Sequence, residues 1–410
     1  MANDLKSSIS SLASESRLYP QEMLLKVRKD RHQLFIGIPK ESSEHEHRVS
    51  LTPKAVELLS ANGHQIVVQS GAGKAANFTD HEYSEAGAKI SAGAEEVFAS
   101  DIVMKVEFPT LEELKKMKEG KTLISTIHLR GDLKERIQLI NTKKITGVGY
   151  EYIEDKVGGL PIVRAMSEIA GNSVIPIASE YLSSTGKGTG MGIILGGITG
   201  VPPSRVVILG AGTVAEHAAR TAIALGAEVS VFDPHIYKLR RLKHILNTQI
   251  YTSTISRASL QHAVINADVV IGAIRSEKGD VQHIVSEEMV SQMKKGAVII
   301  DVSIDEGGCF ETSEPTNLRR PTFTKFDVIH YCVPNIAARV PQSASRALSN
   351  IFTPILLEIS KRGGVNDIIF HHKWFMKGVY SYKGGVTNYY LSRKFDLKYK
   401  DMDLLMVPRF

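Results

Sequence analysis

Residues 205–235, RVVILGAGTVAEHAARTAIALGAEVSVFDPH, constrain the fold of this chain more than any other stretch. Residues 206–209 are a short apolar run of the kind buried on both faces of a parallel sheet. Gly210, Gly212 and Ala215 then occupy the three small positions that permit a sharp turn, a close approach to a pyrophosphate and tight helix packing. The alternative is an ordinary glycine-rich turn, but the complete strand–turn–helix–strand frame favours a nucleotide-binding Rossmann unit.

The acid that ends the second predicted strand bears on the choice of cofactor. Asp233 lies roughly 20 residues beyond the glycines, where the fingerprint places a ribose-binding carboxylate. Such a carboxylate accepts hydrogen bonds from ribose hydroxyls and repels a 2′-phosphate, so the sequence favours NAD over NADP. Lys238, Arg240 and Arg241 follow closely and slightly weaken that preference.

Composition narrows the class of protein. A chain of 410 residues predicts two domains, and 43% hydrophobic with 23% charged residues is typical of a globular enzyme. The net charge of +6 is spread without a basic block interleaved with aromatics, so we predict no nucleic-acid partner, and we predict no metal site. Two cysteines, Cys309 and Cys332, indicate a reducing compartment, and the chain shows no membrane-length apolar run or signal peptide. We therefore expect a cytoplasmic protein with no membrane partner.

Strand-like and helix-like segments alternate from Leu34 onward. This alternation predicts an α/β fold with two Rossmann-like domains, each built on a doubly wound and mostly parallel sheet. Two long segments of helical spacing, LPIVRAMSEIAGNSVIPIASEYL and SASRALSNIFTPILLEISKRG, are expected to join the domains as crossing helices around a cleft.

Four polar residues stand at or near the ends of predicted strands, where open α/β sheets bind ligands: Arg48, Lys105, His128 and Asp305. Each has an ordinary alternative, namely a solvated charge, a hydrogen-bonded structural histidine or, for Asp305 with Asp301, a loop brace. Lys105 is less ordinary because it interrupts an apolar strand, and a buried ammonium is costly unless it is paired.

Taken together, these residue types suit a hydride-transfer reaction on a small acid. A guanidinium holds a carboxylate in bidentate fashion, and a lysine holds a carboxylate or polarises a carbonyl oxygen. A histidine exchanges a proton near neutral pH, and a carboxylate orients water or stabilises an iminium. Oxidative deamination of an amino acid and oxidation of a hydroxy acid both need this set.

A resemblance to a known family rests on motifs spread in order over roughly residues 34–350. The chain resembles the alanine dehydrogenase family, which also contains the NAD-binding α-subunit of nicotinamide nucleotide transhydrogenase. The matching motifs are IGIPKE with HRVSLTP, VVQSGAG, MKVEFP, IHLRGD, MSEIAG, LGGITGVPPSRVVILGAGTVA, ADVVIGAI, IDVSIDEGGCFETSEPT and HYCVPN.

The resemblance implies a division of labour between domains. Residues 34–163 together with 343–410 would form the substrate-binding catalytic domain, residues 164–342 the NAD-binding Rossmann domain, and residues 1–33 an N-terminal extension. It also implies a homo-oligomer, by resemblance a hexamer.

The resemblance further implies roles for individual residues. Arg48 and Lys105 would bind the substrate, His128 would polarise the carbonyl or move a proton, and Asp305 would act on water or the amine. The implied reaction is reversible: L-alanine, NAD⁺ and water give pyruvate, ammonium and NADH. The implied cofactor contacts are Ser167, Gly210, Gly212, Ala215, Asp233, Lys238 and Asn335.

Three readings remain open on the sequence alone. The first is an NAD-dependent L-alanine dehydrogenase, which the resemblance favours because the transhydrogenase subunit lacks a histidine at the position of His128. The second is a soluble NAD(H)-binding transhydrogenase-like component or a dehydrogenase of another small amino or imino acid. The stretch after Asn335, IAARVPQSASRALSN, is closer to transhydrogenase subunits and supports this second reading. The third is a non-catalytic NAD(H)-binding regulator, which would need only the glycine fingerprint.

Overall fold

The computed structural model describes residues 32–127, 133–184, 190–275 and 283–406, and it divides into two compact units. Val49–Gly158 belong to the first unit, together with residues 32–42 and 348–406. The second unit comprises Ser43–Arg48 and Gly159–Ala347. The two units are described separately below.

The strands are numbered in chain order. They are β1 (Phe35–Ile38), β2 (Gln65–Gln69), β3 (Lys89–Ser91), β4 (Ile102–Met104), β5 (Thr122–Ser125), β6 (Thr146–Gly149), β7 (Arg205–Leu209), β8 (Glu228–Phe232), β9 (Tyr251–Ser253), β10 (Val269–Gly272), β11 (Val298–Asp301), β12 (Thr322–Lys325), β13 (Val328–Tyr331), β14 (Val379–Tyr382) and β15 (Gly385–Val386).

The helices are numbered in the same way. They are α1 (Pro53–Ala61), α2 (Asp80–Glu85), α3 (Ala94–Phe98), α4 (Leu111–Lys116), α5 (Leu133–Thr142), α6 (Pro161–Leu182), α7 (Thr213–Ala224), α8 (Ile236–Leu246), α9 (Arg257–Asn266), α10 (Glu287–Ser291), α11 (Pro341–Arg362), α12 (Val365–His371), α13 (Lys373–Met376), α14 (Tyr389–Phe395) and α15 (Met402–Met406). Short 3₁₀ turns lie at Lys74–Ala76, Tyr150–Tyr152, Ile304–Glu306 and Ile336–Arg339.

The first unit contains an eight-stranded sheet in the order β15-β14-β6-β5-β4-β1-β2-β3. Strands β1 to β6 pair in parallel, whereas β14 pairs antiparallel with β6 and β15 antiparallel with β14. The order β3-β2-β1-β4-β5-β6 is that of a doubly wound dinucleotide-binding sheet, in which the strand order reverses between β1 and β4. Ligands of such sheets bind at that reversal, beyond the carboxyl ends of the strands.

The second unit repeats this topology in a seven-stranded sheet of order β12-β13-β11-β10-β7-β8-β9. The strand order again reverses between the first and fourth strands of the series, here β7 and β10. These two strands pair in parallel, from Val206 opposite Val269 to Leu209 opposite Gly272. Strand β12 is antiparallel to β13 and closes one edge.

The central strands of both sheets are short, apolar and covered. All four residues of β10, β11 and β13 are buried, as are those of β5 and β6. Such Val- and Ile-rich strands, buried on both faces, are typical of parallel sheets flanked by helices. The core on one side of the second sheet includes the alanines Ala215, Ala218, Ala219 and Ala222 of helix α7.

The predicted α/β fold with two mostly parallel Rossmann-like sheets is confirmed. The two long helical segments of the sequence are helices α6 and α11. The antiparallel strands β12, β14 and β15, at or next to the sheet edges, were not predicted, because short strands there take their conformation from a neighbouring strand more than from their own pattern. Among the described residues, no helix is both long and apolar enough to cross a membrane.

The units divide the chain slightly differently from the sequence-based domains. The division falls after Gly158 and after Ala347, where the sequence placed it after residues 163 and 342. Residues 43–48 belong to the second unit although the sequence placed them in the first domain, since Arg48 and Glu46 contact side chains of that second unit.

Candidate functional site

The glycine turn after β7 has the geometry that the fingerprint requires. Gly210 has φ +107°, and a β-carbon there would lie 2.5 Å from the carbonyl oxygen of Ala273. A β-carbon on Gly212 would instead meet no atom within 4 Å, so the backbone at Gly212 borders open space. Ala215 is fully buried on the first turn of helix α7. The first glycine therefore serves the turn, and the second leaves room for a ligand.

The N-terminus of helix α7 adds to this turn. Gly212 is its N-cap, and no side chain accepts a hydrogen bond from the first N–H groups of the helix. Uncapped N–H groups at a helix N-terminus, together with the helix dipole, favour a phosphate. The residues present therefore fit the pyrophosphate of a dinucleotide.

Asp233 lies beside this turn at the end of β8 and is 4% exposed. Its carboxylate accepts hydrogen bonds from the backbone nitrogen of Ala211, at 2.8 Å, and from that of His235, at 2.7 Å. The carboxylate thus connects the glycine turn to the start of helix α8. Lys238, on that helix, is half-buried with its ammonium 5.9 Å from the centre of the Tyr237 ring.

Helix α6 packs against helix α7 through a close backbone approach. A β-carbon on Gly171 would lie 2.5 Å from the carbonyl oxygen of Val214, so only glycine fits there. Ser167 is half-buried one turn earlier on the same helix, and its neighbour Met166 contacts Arg48.

In the first unit, Lys105 directly follows β4, one of the two strands between which the strand order reverses. Its ammonium lies 2.8 Å from a carboxylate oxygen of Glu41, which follows the neighbouring strand β1. Glu41 also accepts hydrogen bonds from the backbone nitrogens of Val106, at 2.6 Å, and Glu107, at 3.3 Å. Glu113 provides a second carboxylate 3.6 Å from the ammonium. A ligand-binding position of the sheet thus carries a paired cation.

The charge state of Lys105 follows from these contacts. Its side chain has no solvent exposure, and burial alone lowers the pKa of the ammonium. The carboxylates of Glu41 and Glu113 more than compensate, and the pKa of Lys105 lies above its ordinary value. Lys105 is therefore an ammonium at physiological pH, suited to binding an anion or a carbonyl oxygen and unsuited to acting as a base.

Arg48 forms a buried pair within the second unit. Its Nε lies 2.8 Å and its Nη2 2.6 Å from the two carboxylate oxygens of Glu46, and its backbone nitrogen also donates to Glu46. Nη1 lies 3.3 Å from the sulfur of Met166. Burial alone raises the pKa of Glu46, but the Arg48 guanidinium and the hydrogen bonds from Arg48 and Asn335 outweigh it and lower that pKa.

Asn335 connects this pair to Asp305. Its side-chain amide donates to Glu46 at 3.1 Å, and its backbone nitrogen donates to the Asp305 carboxylate at 3.2 Å. Asn335 has φ +57°, a left-handed conformation that asparagine tolerates better than most residues. Asp305 itself is exposed in the 3₁₀ turn Ile304–Glu306. Three predicted site residues, Arg48, Asn335 and Asp305, are thus joined through Glu46.

The loop that carries Asp305 is organised by Asp301, which is fully buried at the end of β11. Its carboxylate accepts hydrogen bonds from Ser313 Oγ at 2.6 Å, from the nitrogen of Cys309 at 2.8 Å and from that of Ser303 at 3.1 Å. Burial raises the pKa of Asp301, and these hydrogen bonds offset that effect only in part. The brace in this loop is therefore Asp301, which leaves Asp305 exposed.

His128 lies outside the described residues, and its predicted role stays a prediction. The two acids Glu41 and Glu46 were not identified as site residues from the sequence. Glu41 is the last residue of the IGIPKE motif and Glu46 immediately precedes the HRVSLTP motif. Each accepts hydrogen bonds from a predicted substrate cation. Among the described residues, no group of three or more His, Cys, Asp or Glu residues is placed to hold a metal ion.

Comparison with known proteins identifies the family. A model described as the N-terminal domain of alanine dehydrogenase/PNT matches residues 37–170, and its C-terminal counterpart matches residues 175–389. The chain belongs to the alanine dehydrogenase/PNT family. The predicted family resemblance is confirmed by these matches.

Relatives within the family match over nearly their whole length. An alanine dehydrogenase of Methanococcus maripaludis is 37% identical over 89% of this chain and 98% of its own. Alanine dehydrogenase 2 of Staphylococcus aureus is 35% identical over 90% and 98%. A solved L-alanine dehydrogenase superposes with a TM-score of 0.83 at 32% identity, covering 88% of this chain and 99% of that one. A transhydrogenase from Sinorhizobium meliloti gives a TM-score of 0.73 at 22% identity, covering 87% and 99%, which shows a shared fold alone.

Proposed function

We propose that this protein is an NAD-dependent L-alanine dehydrogenase. The reaction converts L-alanine, NAD⁺ and water into pyruvate, ammonium, NADH and a proton, and it is reversible. Relatives of 35–37% identity that carry the name alanine dehydrogenase support this activity over the transhydrogenase alternative. In that reaction NAD⁺, when bound, accepts a hydride from the substrate carbon that bears the amine.

The observation that carries the proposal is the hydrogen-bonded chain Arg48–Glu46–Asn335–Asp305. A buried ion pair contributes little net stability compared with well-packed apolar side chains, so its presence calls for another reason. An NAD(H)-binding regulator needs only the glycine turn and Asp233. A dehydrogenase also needs a cation for the substrate carboxylate and an acid near the reacting carbon. In this set of residues Arg48 is the candidate cation and Asp305 the candidate acid.

The assigned roles follow from the environment of each residue. Arg48 and Lys105 are the cations that bind the substrate, whose carboxylate is anionic in both L-alanine and pyruvate, and Lys105 contacts the carbonyl oxygen of pyruvate. Asp305, exposed to incoming solvent, orients the water or the amine, and His128 exchanges the proton. Gly210, Gly212 and Ala215 form the turn that receives the pyrophosphate of NAD, and Asp233 binds the ribose, with Ser167, Lys238 and Asn335 as further cofactor contacts.

The division of labour between the units belongs to the same proposal. The first unit, with Lys105 and the region of His128, binds the substrate, and the second unit binds NAD. The protein works in the cytoplasm as a homo-oligomer, a hexamer by family resemblance. The two cysteines, buried and unpaired, are compatible with a reducing compartment. Light scattering on the purified protein measures the oligomeric state directly.

The test is NADH absorbance with purified protein, NAD⁺ and L-alanine, compared with serine, glycine, 2-aminobutyrate, lactate and NADP⁺. The proposal predicts turnover with L-alanine and NAD⁺ that exceeds turnover with each of the others. The Arg48→Ala variant should raise the KM for L-alanine, and His128→Ala should mainly lower kcat. Tight NADH binding without turnover in either direction would contradict the proposal and favour a regulator.

A further inference from the structure

Glu46 is a buried acid whose two oxygens are both hydrogen-bonded. Its two carboxylate oxygens accept three hydrogen bonds from Arg48, namely from N, Nε and Nη2, and a fourth from the amide of Asn335. The side chain has no solvent exposure. A carboxylate bound from two sides in a buried setting holds both partners in place, because losing either one leaves a buried charge poorly compensated.

The pairing also fixes the orientation of Arg48. Glu46 engages Nε and Nη2, the lateral edge of the guanidinium, at 2.8 and 2.6 Å. Nη1 lies 3.3 Å from the thioether sulfur of Met166, which is a weak acceptor. A bidentate pair of this kind holds the guanidinium in one plane and one position, so Glu46 determines where the cation lies.

On its other side, Glu46 binds a residue that is fixed at both ends. Asn335 donates its amide to Glu46 and its backbone nitrogen to Asp305. Its left-handed backbone, which asparagine tolerates, places the amide and the backbone nitrogen toward these two different acids. The positions of Arg48, Asn335 and Asp305 are thus set jointly by one carboxylate.

We propose that Glu46 is a positioning residue that couples substrate binding by Arg48 to the cofactor-side turn at Asn335. This inference rests on the proposed function for the roles of Arg48 and Asn335. Its consequence is that disturbing either partner of Glu46 weakens the binding of the other partner's ligand.

A simpler role for Glu46 makes the opposite prediction. If Glu46 only reduced the charge of Arg48, neutralising it would strengthen the attraction for a substrate carboxylate and lower the KM. If Glu46 positions Arg48, neutralising it releases the guanidinium and raises the KM. The direction of the KM change therefore separates the two roles.

The main test uses the isosteric variant Glu46→Gln. We expect the KM for L-alanine to rise about tenfold, the scale of one hydrogen bond to a charged group, with kcat within about threefold of the wild type. We also expect the Kd of NADH, measured by calorimetry without substrate, to rise by at least about threefold through Asn335. The matched control is Glu44→Gln, two residues earlier, which removes an exposed ion pair with Arg319. It should change neither quantity.

A double-mutant cycle tests the coupling itself. Asn335→Gly keeps the positive φ accessible and removes the amide that Glu46 binds. If Glu46 acts through Asn335, the loss of NADH affinity in Glu46→Gln/Asn335→Gly is smaller than the product of the two single losses. Independent effects, or an unchanged or lowered KM in Glu46→Gln, would overturn the proposal.

Two further readouts keep the test decisive. If Glu46→Gln does not fold, Glu46→Asp keeps the charge but is too short to reach both partners, and it should show the same direction of change in KM and in the Kd of NADH. Unchanged values in that variant would overturn the proposal. A wild-type protein that binds NADH but does not turn over L-alanine would count against the proposed function, whereas the NADH double-mutant cycle would still test the coupling.

Discussion

The ammonium of Lys105 lies 2.8 Å from the Glu41 carboxylate, in a pair that bridges the ends of the neighbouring strands β4 and β1. The strand order of the first sheet reverses between these two strands, and doubly wound sheets bind their ligands at that position. Glu41 also accepts hydrogen bonds from the backbone that follows Lys105, so it fixes both the loop and the cation. Glu41 thereby keeps a buried lysine charged and oriented.

Removing the acid of this pair should cost both stability and substrate affinity. In Glu41→Gln the Lys105 ammonium loses its nearest counter-charge, and we expect the free energy of unfolding to fall by about 3 kcal/mol. This lies at the low end for a broken buried pair, because Glu113 still provides a carboxylate 3.6 Å away. Urea denaturation measures the loss, and the KM for pyruvate should rise in parallel.

The control for this variant is Glu112→Gln on the neighbouring helix. Glu112 is paired with Lys115 but is largely exposed, so its neutralisation should change stability by no more than about 0.5 kcal/mol. Equal losses in the two variants would contradict a special role for Glu41.

The protonation of Lys105 predicts a pH dependence. Because the pKa of Lys105 is raised above the ordinary value of about 10.4 for a lysine, its contribution to stability is complete below that pH and is lost as pH rises through the folded-state pKa. Lys105 should therefore stay protonated up to about pH 10, and its titration should not raise the Kd of pyruvate, measured in the presence of NADH, below that pH. The profile of Lys105→Arg, which stays charged throughout, should run parallel to that of the wild type in this range. A wild-type loss of affinity below pH 10 that is absent from the arginine variant would contradict this account.

The two glycines of the fingerprint should respond differently to the same substitution. Gly210→Ala places a β-carbon 2.5 Å from a backbone oxygen at φ +107°, and we expect a loss of about 2 kcal/mol or more in stability. Gly212→Ala meets no protein atom, and its cost should stay below about 1 kcal/mol, since alanine is only a poorer N-cap.

Gly212→Ala, the variant that costs little stability, should be the one that weakens cofactor binding. If the open space at Gly212 receives the pyrophosphate, Gly212→Ala should weaken NADH binding about tenfold while its melting temperature stays near that of the wild type. Fluorescence titration with NADH and a thermal melt provide the two numbers. Unaltered NADH affinity in Gly212→Ala would place the dinucleotide elsewhere.

Asp233 should determine the preference between dinucleotides. Its carboxylate is held by the nitrogens of Ala211 and His235, so it lies at a fixed position beside the turn. Asp233→Asn removes the charge that repels a 2′-phosphate, and we expect the ratio of NADPH to NADH dissociation constants to fall about tenfold. Titrations with both nucleotides measure this ratio, and an unchanged ratio would show that another residue discriminates.

Much of this fold follows from local sequence signals. The parallel strands are apolar runs such as VVIL and VIID. The glycine turn could be predicted because its small residues have the spacing of a Rossmann unit and lie between a strand and a helix. The antiparallel strands β12, β14 and β15 carry no such signal, because their pairing depends on distant neighbours and not on their own periodicity.

The candidate site was predictable in its cations but not in their partners. Lys105 could be singled out because a charge in an apolar strand demands a counter-charge, yet the sequence does not say which acid supplies it. Glu41 is 64 residues away along the chain, and only the pairing of β1 with β4 brings it near. Likewise Asn335 reaches Glu46 across 289 residues. Such contacts come from topology, which spacing alone does not reveal.

NADH oxidation by pyruvate, followed in the presence and absence of ammonium, tests the proposed function most directly. An alanine dehydrogenase must incorporate the amine, so NADH should disappear only when both pyruvate and ammonium are present, with L-alanine as the product. Oxidation of NADH by pyruvate alone, giving lactate, or no oxidation under either condition, would contradict the proposed function.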